Sequence, residues 1–411
     1  MAGISLIADD VVADVDPDAP DTRPRWRRWL IMFILLTGGI KTTLAFTTVV
    51  PALQKIAEHF GGKGDAVLGA QFVVTMAPAG MAVAGLFAGW IVARGGLRRS
   101  LFAGLGLCAI TGLSQLFLDN FIILLISRFL LGASVVTVDI ALTTILAAEF
   151  AGKTRSRLIG FRQAISSTGT VSTMLLAGWM VQNFGWRSPA WMFLVPVVML
   201  VLSVIAFDRP IPAARQMASS EKFSVWQLWP IYLLSLLFSM AHTMPSFQMP
   251  FLLKEIGITD AVLISRVPAL SAFISIMAAG AFAFVYGKAQ RMTLVFAATL
   301  MGLGFIGVGN ATTYTMILIF IIVEGSGAGW NMPFFQNRLL DRVTPQQRSQ
   351  AMGLLSSSLF LGHFLNPILT APLRVNFGIH GTFVFVGSFL VIGAGVMTLW
   401  IFASRNRNTV I

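Results

Sequence analysis

The sequence predicts an all-α polytopic membrane protein with twelve transmembrane helices arranged as two pseudo-symmetric six-helix halves. Three observations carry the prediction. First, 56% of the residues are hydrophobic and 11% charged, with a mean hydropathy of +0.80, whereas soluble domains carry about 25% charged residues. Second, twelve mostly apolar stretches approach the roughly 20 residues that a helix needs to cross about 30 Å of hydrocarbon. Third, a glycine-rich, arginine-bearing hinge in the first half has a counterpart in the second.

In chain order, residues 1–27 are acidic and Pro-containing, lack the basic start and apolar core of a secretory signal, and read as a disordered cytoplasmic tail. An N-terminal bundle over 28–207 has spans at 29–50, 67–92, 101–118, 121–148, 158–181 and 190–207. The turn between its second and third spans is Gly89-Trp-Ile-Val-Ala-Arg-Gly-Gly-Leu-Arg-Arg-Ser-Leu101. Its glycines permit a tight turn and its arginines stay with the anionic face of the bilayer. Residues 208–227, with Pro210, Pro212, Ser219, Ser220 and Lys222, are too polar to span and form a cytoplasmic linker. The C-terminal bundle, 228–403, has spans at 228–253, 261–286, 293–308, 313–336, 351–371 and 382–403, and 404–411 is a second cytoplasmic tail.

The repeat is visible twice. Gly280-Ala-Phe-Ala-Phe-Val-Tyr-Gly287-Lys288-Ala-Gln-Arg291 keeps the glycine spacing of Gly89 and Gly96. After the fourth and tenth spans come Glu149-Phe-Ala-Gly-Lys-Thr-Arg155-Ser156-Arg-Leu-Ile-Gly160 and Asp341-Arg-Val-Thr-Pro-Gln-Gln-Arg348-Ser349-Gln-Ala-Met-Gly353. Each has an acid, a polar turn and Arg-Ser-x-x-x-Gly, which points to a parallel repeat about an axis along the membrane normal. Gly85 and Gly89, continued by Gly80, Ala84 and Ala88, form a small-residue stripe for close helix approach.

A formal charge of +12 invites a nucleic-acid reading, but the basic residues are scattered over short loops, so none is expected. Twenty Lys and Arg residues fall on one set of loops and tails against six on the other, which puts both termini in the cytoplasm of a cell (inner) membrane protein. The single cysteine, Cys108, allows neither a disulfide framework nor a thiolate cluster. There is no G-x-x-x-x-G-K-[ST] loop and no Ser/His/Asp, metal-ligand or haem arrangement. The expectation is therefore no enzyme and no cofactor; the partners are the lipid bilayer, a small-molecule substrate and protons, and the chain is a monomer.

The hinge resembles the major facilitator superfamily signature G-x-L-a-D-r-x-G-r-k-x-x-l at Gly89, Ile91, Arg94, Gly96, Arg98 and Leu101, and Arg128-Phe-Leu-Leu-Gly132 resembles the R-x-x-x-G signature of the fourth helix. The resemblance implies that family's fold and a transporter that alternates access between two rocking halves, with Gly89, Arg94, Gly96 and Arg98 as gating residues. The hinge aspartate of the family is Ala93 here and Phe284 in the second copy, and the fifth-helix glycine-proline signature of exporters is missing from 164–181.

Ionisable residues at bilayer depth cost several kcal/mol unless they face a cavity or a partner, so each is a functional candidate. Lys41, Arg128, Asp139, His242 and Glu324 fall on spans 1, 4, 7 and 10, the helices that line the central cavity in the resembled family. Lys41 with Arg128 forms a candidate anion site, joined by His242, Gln248, Trp330 and Asn331 as substrate contacts. Glu324 and Asp139 are candidate proton-coupling acids. Structural alternatives stand beside these: Arg128 as a brace on backbone carbonyls, Lys41 in an ion pair with Asp139 or Glu324, Asp139 at the interface, His242 as a core residue beside Pro245. The function expected is proton-coupled transport of a small organic, anionic solute, leaning to efflux, with proton-symport uptake or lipid flipping as alternatives.

Overall fold

The computed structural model describes residues 24–61, 66–150, 152–207, 225–290, 292–344 and 347–404. The expected N-terminal tail up to residue 23, most of the linker and residues 405–411 lie outside the described residues. Within them every regular element is helical: α1 Arg25–Thr37, α2 Ile40–Thr47, α3 Leu53–Phe60, α4 Ala66–Gly95, α5 Leu97–Leu113, α6 Phe121–Glu149, α7 Gly152–Phe184, α8 Leu194–Ala206, α9 Trp229–His242, α10 Met244–Phe247, α11 Met249–Glu255, α12 Ala261–Ala289, α13 Met292–Gly309, α14 Tyr314–Ala328, α15 Asn331–Leu340 and α16 Arg348–Ser404. Lipid offers no hydrogen-bond partners, so a spanning backbone must satisfy its own polar groups, and the helix does so.

Nine helices among the described residues are long and apolar enough to cross a membrane. Of the other expected spans, α5 is helical but 17 residues long, and 229–255 is broken into α9, α10 and α11 at Thr243 and Gln248. The long α16 bends at Gly378, whose φ of 69° no helix contains, between the eleventh and twelfth expected spans. Side chains fix several starts. Asn120 accepts from the Ile122 and Ile123 amides, Asp260 from those of Val262 and Leu263, and Thr313 from Met316, capping α6, α12 and α14.

The hinge forms as its glycines dictate. The Gly96 amide donates to the Val92 carbonyl, closing α4, and the Gly96 carbonyl accepts from Ser100, opening α5. Between them Gly96 sits at φ 81°, a conformation open to glycine and strained for other residues. In the second half the corresponding turn falls on Gln290, at φ 39°, three residues after Gly287. Arg98 lies over the Phe102 ring at 5.3 Å.

Close helix approach occurs, though displaced from the predicted pair. A Cβ on Gly89 would meet nothing within 4 Å, and one on Gly85 would meet the Ser357 hydroxyl at 3.3 Å and Val136 at 4.0 Å, with no backbone in reach. The backbones of α4 and α6 touch one and a half turns earlier, where a Cβ on Gly80 would stand 2.0 Å from the Phe129 carbonyl and one on Gly132 1.9 Å from that of Ala77. In the second half α12 and α14 cross likewise, a Cβ on Gly329 falling 2.2 Å from the Ser275 carbonyl. Packing of bare backbones is the main attraction available between helices in lipid. Gly132→Ala is expected to destabilise by about 1–3 kcal/mol, the usual cost of overpacking a filled site, and to lower the melting temperature in detergent. Gly160→Ala, whose added Cβ meets nothing within 4 Å, leaves it unchanged.

Candidate functional site

The ionisable residues of the first half converge. Lys41, fully buried on α2, donates to the Gly38 carbonyl at 2.6 Å and forms an ion pair with Asp139 of α6. Gly38 and Gly39 interrupt the first span between α1 and α2, which leaves that carbonyl free for the lysine. A second cation, Arg162 of α7, reaches the same Asp139 oxygen at 2.7 Å and the Thr143 hydroxyl at 2.9 Å. Thr42 donates to the other carboxylate oxygen at 3.2 Å. A buried charge is tolerated when paired and hydrogen-bonded, and this cluster of two cations and one anion keeps a surplus positive charge.

The cluster forms part of the wall of a cavity of about 540 Å³. Asp139 and Arg162 line it from the first half, with Lys41 behind Asp139. Hydroxyl and amide groups continue the wall: Thr42, Thr43 and Thr47 on α2, and Gln163, Ser166 and Thr170 on α7. The second half contributes His242, Thr243 and Ser246 from the break between α9 and α10, and His363 from α16. Leu146 and Ile159, beside the α6–α7 turn, carry the lining towards the hinge face.

On the face opposite the hinge the two halves are bonded together. Gln71 of α4 donates to the Phe247 carbonyl at 2.9 Å and to Gln248 at 2.8 Å, and Arg374 of α16 donates back to Gln71 at 3.3 Å. Gln54 of α3 donates to the carbonyls of Pro250 and Ile258. Lys254 pairs with Glu58 at 2.6 Å, and Gln182 of α7 accepts from the Ala261 amide at 3.0 Å. These bonds tie first-half helices to second-half helices at their ends remote from Gly96.

Several expected site residues stand elsewhere. Arg128 does not pair with Lys41: it lies eleven residues from Asp139, roughly 16 Å along α6, with its guanidinium 6.0 Å from the Phe193 ring centroid. The cation beside Lys41 is Arg162, which the sequence reading passed over although it is the third basic residue inside an expected span. Glu324 is fully buried and accepts from Ser271 of α12 at 2.7 Å, but it is wedged against Gly304 of α13 and is not among the residues lining the cavity. Its helix is pressed so closely on α12 and α13 that the carboxyl points into a helix junction. Gln248 belongs to the sealed face, where it also donates to Thr370 at 2.6 Å. The Trp330 indole donates to the Ala278 carbonyl at 2.9 Å, and neither it nor buried Asn331 lines the cavity. Asp139 and His242 do line it, and His363, a second histidine in an apolar run, joins them.

The family model described as Major Facilitator Superfamily matches residues 35–308 and 231–410. The chain is 33% identical over 138 residues to the cis,cis-muconate transport protein of Acinetobacter baylyi, a match covering 34% of this chain and 33% of that protein. It is 23% identical over 399 residues to Multidrug resistance protein 2 of Bacillus subtilis, covering 90% of this chain and 95% of that one. Among solved structures, a D-xylose-proton symporter superposes with a TM-score of 0.72 at 14% identity, over 90% of this chain and 97% of its own. A human organic anion transporter superposes with a TM-score of 0.63 at 16% identity, over 91% and 100%.

Asp139→Asn is expected to destabilise by about 2–3 kcal/mol, because it strands buried Lys41. That is less than the roughly 3–5 kcal/mol of a fully buried pair, since a third of the aspartate side chain, 33%, is accessible. In a double-mutant cycle of thermal melts, Lys41→Met added to Asp139→Asn recovers part of the loss.

Proposed function

The chain belongs to the Major Facilitator Superfamily, and on that premise we propose that it is a proton-coupled secondary transporter that carries a small organic anion across the cell membrane by alternating access. Family membership makes it an integral membrane transporter; the anion, the proton and the direction are the proposal. The observation that carries it is the surplus positive charge of the Lys41–Asp139–Arg162 cluster on the cavity wall. A carboxylate entering the cavity meets the Arg162 guanidinium, a planar donor suited to bidentate binding of carboxylates, and the hydroxyls around it supply further donors. The likeness to a muconate transporter supports an organic anion as cargo. Beside its charged and hydroxyl groups the wall carries apolar side chains such as Phe46, Val50 and Met174, which suits an organic solute.

A proton and an anion bound in one cavity attract each other, so symport is the direction that electrostatics favours. The rocking motion then breaks the bonds around Gln71 and Gln54 on the sealed face and closes the halves on the hinge face. Cytoplasmic termini, supported by the excess of Lys and Arg on the loops of the hinge face, make that face the inner one. A second reading, efflux in exchange for protons, is favoured by the likeness to Multidrug resistance protein 2.

Purified protein in proteoliposomes tests both, with radiolabelled cis,cis-muconate as the probe anion. Symport accumulates the probe when the lumen is more alkaline than the bath; antiport accumulates it when the lumen is more acidic. Arg162→Gln is expected to weaken half-saturation by about tenfold or more, near 1.4 kcal/mol, while Arg187→Gln, which loses a surface pair with Asp119, leaves it unchanged. A wild-type protein that moves neither this anion nor a panel of other carboxylates under either gradient overturns the reading.

A further inference from the structure

We propose that the coupled proton is carried by His242 and His363 acting as one site on the second-half wall of the cavity, and not by Glu324. This rests on the proton-coupled anion reading above and assigns it its residues.

The two histidines come from helices remote in sequence and are brought together by a close backbone crossing. A Cβ on Gly362 would stand 2.4 Å from the Leu236 carbonyl, so α16 and α9 touch one residue before His363. Hydrogen bonds lock that crossing. Ser239 donates to the Leu359 carbonyl at 2.7 Å, Asn366 to the Met240 carbonyl at 2.7 Å, and the Ser235 and Ser358 hydroxyls are 2.7 Å apart. His242 ends α9, where the helix breaks before Pro245. Both imidazoles line the cavity. In each, Nδ1 is buried without a hydrogen-bond partner among the described residues.

The other described ionisable groups facing this cavity are Asp139 on α6 and Arg162 on α7, with Lys41 of α2 behind them. The Asp139 carboxylate is already bonded to both cations. Histidine is the side chain that ordinarily changes charge between about pH 5 and 8. A positive charge on one imidazole of this wall opposes a second on the other, so the two together hold one proton. Glu324, bonded to Ser271 through one carboxyl oxygen with the other unpartnered among the described residues, is not in the lining of this cavity.

The cycle balances. One hydronium on the side to which the cavity is open gives its proton to an imidazole nitrogen; the imidazolium and the Arg162 surplus then hold the anion from opposite halves. After the halves rock, the anion leaves and the proton passes to water on the other side. The His363 ring also meets the Phe46 ring of α2 edge-on at 5.6 Å between centroids, so the site touches the first half and senses its position.

The test separates coupling from movement by using two assays on the same proteoliposomes with radiolabelled cis,cis-muconate. One is accumulation driven by a pH gradient, with proton entry followed by a luminal pH dye. The other is exchange of external for internal probe at equal pH, which needs no net proton transfer. His242→Gln, His363→Gln and the double variant are expected to lose at least tenfold in driven accumulation and in dye response while exchange stays within about twofold. Glu324→Gln keeps both. The proposal is overturned if the double variant still accumulates probe as the wild type does, or if Glu324→Gln abolishes accumulation while sparing exchange. It is also overturned if both assays fail in the glutamine variants and in the corresponding asparagine variants while these remain monodisperse and still bind the probe. A wild type inactive in both assays rejects the transport reading itself.

Discussion

Hydrocarbon supplies no hydrogen-bond partners and no counter-charge, and the rest of this structure follows from that. Each backbone amide must be satisfied within its own segment, so the chain is a set of helices. With no hydrophobic force between helices in lipid, they associate where backbones come closest, at Gly80 and Gly132 in the first half and Gly329 in the second. Any charge left inside must find a partner or a cavity. Lys41, Asp139 and Arg162 find one another, and the last two also face the cavity.

The same constraint explains how the molecule divides polar work between its two ends. On the face remote from the hinge, Gln54, Gln71 and Gln248 bond across the halves through neutral amides, beside the Lys254–Glu58 ion pair and the Arg374 guanidinium on Gln71. Towards the hinge face, charge is concentrated on the cavity wall and hydroxyls surround it. The contacts that join the halves at one end thus combine amides with ionic groups, and the cavity beyond them carries charged, hydroxyl and apolar side chains on its wall.

Much of the fold was legible because hydropathy, glycine spacing and charge bias are local. The hinge at Gly96 takes the positive φ that a glycine there foretells, and the family signatures around it agree with the family match over nearly the whole chain. The site was legible only in part. Asp139 and His242 were marked as charged or titratable residues in apolar runs, and both line the cavity. Arg162 carried the same mark and was overlooked because it lies near the end of a span already credited with loop arginines. Glu324 was equally marked yet faces a helix junction, because the mark reports depth along a helix and says little about direction around it.

The sequence by itself determined the all-helical architecture, the repeat and the list of ionisable groups that needed partners, since each depends on residue type and on neighbours within a few turns. Only the tertiary structure decided which of those groups meet. The grouping of Lys41, Asp139 and Arg162 without Arg128, and the placing of His242 and His363 on one cavity, depend on how helices from distant parts of the chain rotate and cross. Those rotations are set by close contacts such as Gly362 on Leu236, whose partners lie more than a hundred residues apart and leave no local trace.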